Sequence, residues 1–119
     1  LPFSLRDNDY VLGEKKCGGN AQYITKNRWL HHTSFLWNFD PKKMALLKIP
    51  NKQPDYRNQR SHLDFLTTLK EYGPIDQWIQ KIKETLRVQF SQVHQLPPSH
   101  LSNIPKLDHY RTKRIYPKE

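Results

Sequence analysis

Two clusters in this chain have residue types and spacing that could do chemistry: Lys15-Lys16-Cys17-Gly18-Gly19-Asn20 and, one short turn later, His31-His32. Glycine weakens a strand unless something must come close to the main chain there. Side chains alternate between the two faces of a strand. Lys16, Gly18, Asn20 and Gln22 are therefore expected on one face, and Cys17, Gly19, Ala21 and Tyr23 on the other. On that expectation Gly18 leaves a floor of bare backbone beside the Lys16 ammonium, on which a ligand could lie. Gly19 makes room for Phe35 on the opposite side. A second reading stays open, in which the polar face is the solvated side of an antiparallel sheet.

The elements that must position these groups read as follows. Tyr10–Leu12, 16–25 and 29–39 have strand patterns, and Gly13-Glu14 suits a two-residue turn with glycine first. A three-residue turn at Lys26-Asn27-Arg28 would set Asn20 opposite Ser34, Gln22 opposite His32 and Lys16 opposite Asn38. Polar residues then meet on one face, and register follows the buried face. The Trp29–Phe39 stripe of Trp and Phe reads as core. Asp40 is the expected N-cap of a short helix running from Pro41 to about Leu47. Residues 48–60 carry two prolines among several Lys and Arg and read as an exposed basic loop. Ser61 caps a second helix whose Leu63, Leu66, Leu69 and Tyr72 share a face, with Gly73 as terminator. A third begins near Pro74, with Ile75, Trp78, Ile79, Ile82, Leu86 and Phe90 as its apolar stripe. The fold class is α+β: a three-stranded antiparallel meander of a larger mixed sheet, packed by two or three helices. Residues 1–91 form the domain, and 92–119 an irregular Pro-, His- and Lys/Arg-rich tail.

At 119 residues the chain is one domain or a piece of one, and its opening on Leu1 reads as a segment of a longer protein. The net charge of +9 points to an acidic partner: a phosphate, a nucleic acid or an acidic protein surface. A single cysteine excludes an internal disulfide framework, so an intracellular, reducing compartment is expected. No apolar run approaches the length of a membrane span. Cys17 reads as a small core residue. His31 and His32 point to opposite faces with no further ligands nearby, so no metal site is expected.

With these residues in view, Lys15 to Gln22, Thr25-Lys26-Asn27-Arg28, His31-His32-Thr33 and Leu36 to Asp40 resemble the lipoate–protein ligase A family, within the biotin and lipoate ligase superfamily. The family pattern runs K-hydrophobic-S/G-G-S/N-A, then a hairpin into H-H-G-T, then a strand ending N-x-D, as Asn38-Phe39-Asp40 does here. The likeness spans roughly residues 7 to 90 and is looser downstream, where Arg60 to Leu66 stands in place of S-R-V-x-N-L. It implies an ATP-dependent enzyme that adenylates lipoate or a related acyl acid and passes it to a lysine of an acceptor lipoyl domain. Lys16 falls on the essential lysine, which bridges the acyl carboxylate and the α-phosphate. The resemblance further implies that Gly18, Gly19, Asn20 and Gln22 contact the adenylate, that His32 lines the pocket, and that Mg²⁺ accompanies ATP. Nothing matches the family's arginine- and glycine-rich loop, so the chain corresponds to the later half of the domain. It is expected to need the complementing N-terminal segment for activity. The partner implied is an acidic lipoyl acceptor domain, which the loop at 48–60 could face. The related octanoyltransferases use a nucleophilic cysteine beyond the third strand, and this chain has none there, so the resemblance argues against a covalent acyl-enzyme. Two competitors remain: a non-catalytic basic module for nucleic acid or an acidic protein surface, ranked lower because no nucleic-acid motif appears, and a silent member that only binds lipoyl or biotinyl proteins.

Overall fold

The computed structural model describes residues 2–103. These fall into two units, divided between Lys83 and Glu84. In the first, four strands form an antiparallel meander in the order β1-β2-β3-β4: Phe3–Arg6, Asp9–Leu12, Lys15–Ile24 and Trp29–Phe35. The α+β class stands, with one strand more than the three-strand expectation. The added β1 carries Phe3 and Leu5 in alternation. Gly13-Glu14 turns as expected, with Gly13 at φ 60° and Leu12 paired to Lys15.

Three features depart from the sequence reading. Tyr10 pairs with Gly18 but Val11 with Lys16, so Cys17 is a surplus residue, a β-bulge on β3. The β3–β4 turn holds two residues rather than three: Thr25 N–H donates to the Arg28 carbonyl at 2.8 Å, and Asn20 lies opposite Thr33, Gln22 opposite His31. A one-residue slip exchanges the faces of every facing side chain. The third departure is β4, which ends at Phe35, not Phe39. Beyond it Leu36 N–H still donates to the Cys17 carbonyl (2.7 Å), while the carbonyls of Leu36 and Trp37 accept from Leu69 and Lys70. The chain there is shared between the sheet and the segment after residue 65.

That segment explains the interrupted second helix. Ser61 caps α2, His62–Phe65, as expected, its Oγ accepting from Asp64 N–H. The helix then breaks, because Leu66 bridges to Lys16 in parallel and Thr67 N–H donates to the Lys16 carbonyl at 2.9 Å. Thr67 and Thr68 are β-branched and favour the extended form. Leu69–Tyr72 resumes as a 3-10 turn ending at Gly73. The first helix, α1, is one turn, Pro41–Met44, shorter than expected but capped by Asp40, whose Oδ1 accepts from Lys42 N–H.

The core is small: Leu12, Cys17 and Leu69 cluster with Tyr10, Phe35, Trp37 and Trp78 around them, and Val11 and Phe65 are also buried. The expected aromatic stripe on β4 is core only at its Phe35 end. Trp29 is 54 % exposed, tilted against His31 and donating its indole N–H to Gln22. The third helix, α3 (Ile75–Gln89), forms where expected. Trp78 brings it to the core, but Ile75, Ile79 and Ile82 remain exposed. In the second unit the described residues past α3 are irregular apart from a 3-10 stretch at Pro98–Asn103. The rest of the expected tail, 104–119, lies outside the described residues. Among those described, no helix is long and apolar enough to cross a membrane.

Cys17 is fully buried, and its thiol donates to the Tyr10 carbonyl at 3.3 Å. Desolvation pushes its pKa up from 9.0 to about 11. Because the folded value is raised, the stabilisation is whole below the unfolded pKa and is lost as pH rises through the folded one. Stability should therefore fall between pH 9.0 and about 11, and chemical melts of Cys17→Ala across that window should show a shallower decline. A thiol reagent at pH 8 should label the wild type only after denaturant is added. Prompt labelling of the native chain would contradict the burial.

Candidate functional site

The bulge decides which side of the sheet the amine leaves from. Asp9 and Val11 share one face of β2, and their partners Gly19 and Lys16 share it with them. Lys16 therefore lies with Gly19, not with Gly18, Asn20 and Gln22 as the plain alternation implied. Its Nζ meets Asp9 Oδ1 at 2.6 Å, and a Cβ built on Gly19 would lie 3.8 Å from that Nζ. The roles expected of the two glycines are exchanged. Gly19 is the roomier position beside the ammonium, where a Cβ would make only ordinary contacts, with the Asn8 carbonyl oxygen and Asp9 Oδ1 at 3.6 Å. Gly18 is the close approach, because a Cβ there would stand 2.6 Å from the Ser34 carbonyl oxygen and 2.9 Å from Phe35.

The other expected site residues divide between the faces. His32, paired with Ala21, falls on the Lys16 and Gly19 face. Gln22 and Asn20 fall on the opposite one, where Tyr10, Thr33 and His31 are joined by hydrogen bonds. Asn20 is tied to the first hairpin: its N–H and Nδ2 both donate to the Asn8 carbonyl, at 2.9 and 3.2 Å. Among the described residues no group of three or more His, Cys, Asp or Glu could hold a metal ion.

Two residues that the sequence reading passed over complete the site. Asp9 is the counter-ion of Lys16, and Tyr56 donates its hydroxyl to the other carboxylate oxygen, Oδ2, at 2.8 Å. Burial, then the bond to Asp9, raises the Tyr56 pKa. The ring rests against Phe65, with the Arg6 guanidinium above it. Arg6 is itself paired with both Glu14 oxygens, and that hydrogen bonding holds the Glu14 carboxyl below its usual range.

Tyr56 sits in the stretch expected to be an exposed basic loop, and here the expectation fails. Arg57 is 5 % exposed, its guanidinium stacked 4.7 Å from the Phe65 ring centroid. Arg60 reaches back to the carbonyls of Glu14, Tyr56 and Arg57. Carbonyl oxygens and an aromatic face satisfy guanidinium groups that composition alone assigns to water. His62 accepts from Arg57 at Nδ1, so its Nε2–H is the proton that donates to the Leu47 and Lys48 carbonyls. Lys48 and Lys52 remain exposed.

The Lys16 ammonium thus lies on an antiparallel sheet, paired with Asp9 and beside a residue with no side chain. The lipoyl protein ligase A/B catalytic domain matches residues 4–91, and the chain belongs to that family. It is 43 % identical over 79 residues to a Plasmodium falciparum (isolate 3D7) protein named inactive lipoate–protein ligase 2, the match covering 57 % of this chain and 21 % of that protein. The chain thus spans about a fifth of the relative's length. No solved structure matches.

Proposed function

We propose that the chain is part of an ATP-dependent lipoate–protein ligase-like enzyme. The enzyme would adenylate lipoate, or a related acyl acid, and pass it to a lysine of an acceptor lipoyl domain. One observation carries the reading: the Lys16 ammonium, to which the resemblance gives the place of the family's essential lysine, stands beside Gly19, where an added Cβ would meet nothing nearer than 3.6 Å. Lys16 would hold the acyl carboxylate and the α-phosphate, and Gly19 would let the adenylate approach the backbone. His32 would border the site on the same face, while Asn20, on the opposite face, would act only by tying β3 to Asn8. Gly18 would act from behind, by packing against Phe35, while Gln22 is exposed and accepts from the Trp29 indole, away from Lys16. Both oxygens of Asp9 are engaged, so the described residues offer no cage for Mg²⁺, which would enter on the phosphates. The exposed lysines of α1 and the following loop would face an acidic acceptor domain and speed encounter.

The reading is tested by supplying the complementing N-terminal segment with ATP, Mg²⁺ and lipoate. Formation of lipoyl-AMP is the expected result. A second reading, a silent member that binds lipoyl proteins without turnover, draws on the relative's name and on an ammonium already neutralised at 2.6 Å. Lipoate binding without adenylate would favour it. Steeply salt-dependent binding to random DNA, with no adenylate, would instead favour the basic-module reading.

A further inference from the structure

We infer that Tyr56 is a positioning residue for Lys16, acting through Asp9. The inference deepens the site reading above and rests on it for its catalytic meaning, though not for its geometry. A lysine side chain has four rotatable bonds, and something must hold its amine in one place. Asp9 does so directly, at 2.6 Å with its side chain 14 % exposed, but a carboxylate also turns about its own bonds. The Tyr56 hydroxyl takes the second oxygen at 2.8 Å and removes that freedom.

Tyr56 is itself fixed from several sides. Its ring packs on Phe65 at 5.2 Å between centroids, Arg6 covers it at 5.5 Å, and Arg60 binds its carbonyl at 2.9 Å. Arg60 also binds the Glu14 carbonyl, tying the loop to the β2–β3 turn. The side-chain series Tyr56, Asp9, Lys16 thus spans 47 residues of sequence in its first step. The loop that composition assigns to solvent supplies the anchor of the amine.

The test is competitive acetylation of the full chain with a limiting amine-reactive ester, reading Lys16 against its exposed neighbour Lys15 by fragment mass spectrometry. An ammonium held by a carboxylate must leave it and give up a proton before the nitrogen lone pair is free to attack the ester, so wild-type Lys16 is expected to react more slowly than Lys15. Tyr56→Phe keeps the ring and removes the hydroxyl. It should raise the Lys16-to-Lys15 ratio by about five-fold, the worth of one ordinary hydrogen bond. Asp9→Asn should raise it at least as far. Charge alone predicts the opposite sign for Tyr56→Phe, because the phenol draws charge from Asp9 and its loss would tighten the pair. General loosening of the fold would also raise the ratio, because Lys15 is already exposed, but it would open the buried Cys17 to a thiol reagent as well, whereas loss of the clamp alone leaves that thiol closed. An unchanged or lower ratio, or equal rates in the wild type, overturns the inference.

Should Tyr56→Phe fail to fold, the Asp9→Asn chain carries the test. Its Tyr56 phenol, followed by ultraviolet titration, should ionise at lower pH than in the wild type, and no movement counts against the bond. A complemented ligase that makes no adenylate while the ratio responds removes the ligase reading and leaves the clamp. Adenylate formation with an unresponsive ratio does the reverse.

Discussion

Gly18→Ala is expected to destabilise the fold by about 2–3 kcal/mol, the upper part of the range for overpacking. The added methyl would meet the Ser34 carbonyl oxygen at 2.6 Å and Phe35 Cδ1 at 2.9 Å. The oxygen belongs to the β3–β4 ladder and cannot withdraw without parting the strands, while Phe35 packs against the core and against Tyr10 at 5.0 Å. Gly19→Ala, one residue along, is the control. Its nearest atoms lie at 3.6 Å, and its backbone is in a region open to any residue, so its effect should be within about 0.5 kcal/mol. Urea melts of the two variants decide the matter. Equal destabilisation, or the larger effect at Gly19, would mean that the bulge has been placed one residue wrongly.

The second large effect concerns function. Lys16→Ala in the complemented enzyme should lower lipoyl-AMP formation by about 10²–10³-fold, as expected when a fixed donor to developing charge is removed. The fold should survive, because the bonds that hold position 16 are made by its backbone: the Lys16 carbonyl accepts from Thr67, and Lys16 pairs with Val11. Asp9 would lose its counter-ion but keep the bond from Tyr56. Lys16→Arg should recover little, since a planar guanidinium is wider than the compact ammonium it replaces. Pyrophosphate release measures the effect. Undiminished release would remove Lys16 from the chemistry while leaving family membership untouched.

Gly19→Ala separates the two roles again. Stable on its own account, it puts a methyl within 3.8 Å of the Lys16 amine and should weaken acyl-adenylate binding.

The parts of this fold that were legible in the sequence are those set by neighbouring residues. Asp40-Pro41 specifies a helix start, Gly13-Glu14 a tight turn, and the Ile75–Leu86 stripe a helix, each from chemistry within a few positions. The parts that were not legible depend on partners far along the chain. Cys17 bulges because of how β2 pairs with β3, and nothing local marks it. Leu63, Leu66, Leu69 and Tyr72 keep helical spacing, yet the helix breaks because Thr67 bonds to Lys16. Arg57 looks like surface until Phe65 lies beneath it. Lys16 could be singled out because its glycine neighbours are unusual in a strand. Asp9 and Tyr56 could not, since an aspartate near a turn and a tyrosine in a loop are ordinary until they meet.

The bulge also bears on the kinds of change this lineage can tolerate. A strand of uniform pairing would carry its lysine toward the aromatic layer, where Tyr10 and Phe35 sit. One additional link in the polypeptide reverses that handedness, so the exit of the amine is governed by a count of residues, not by which residue occupies position 17. Related chains should accept varied small apolar side chains there far more readily than they accept a gain or loss of length.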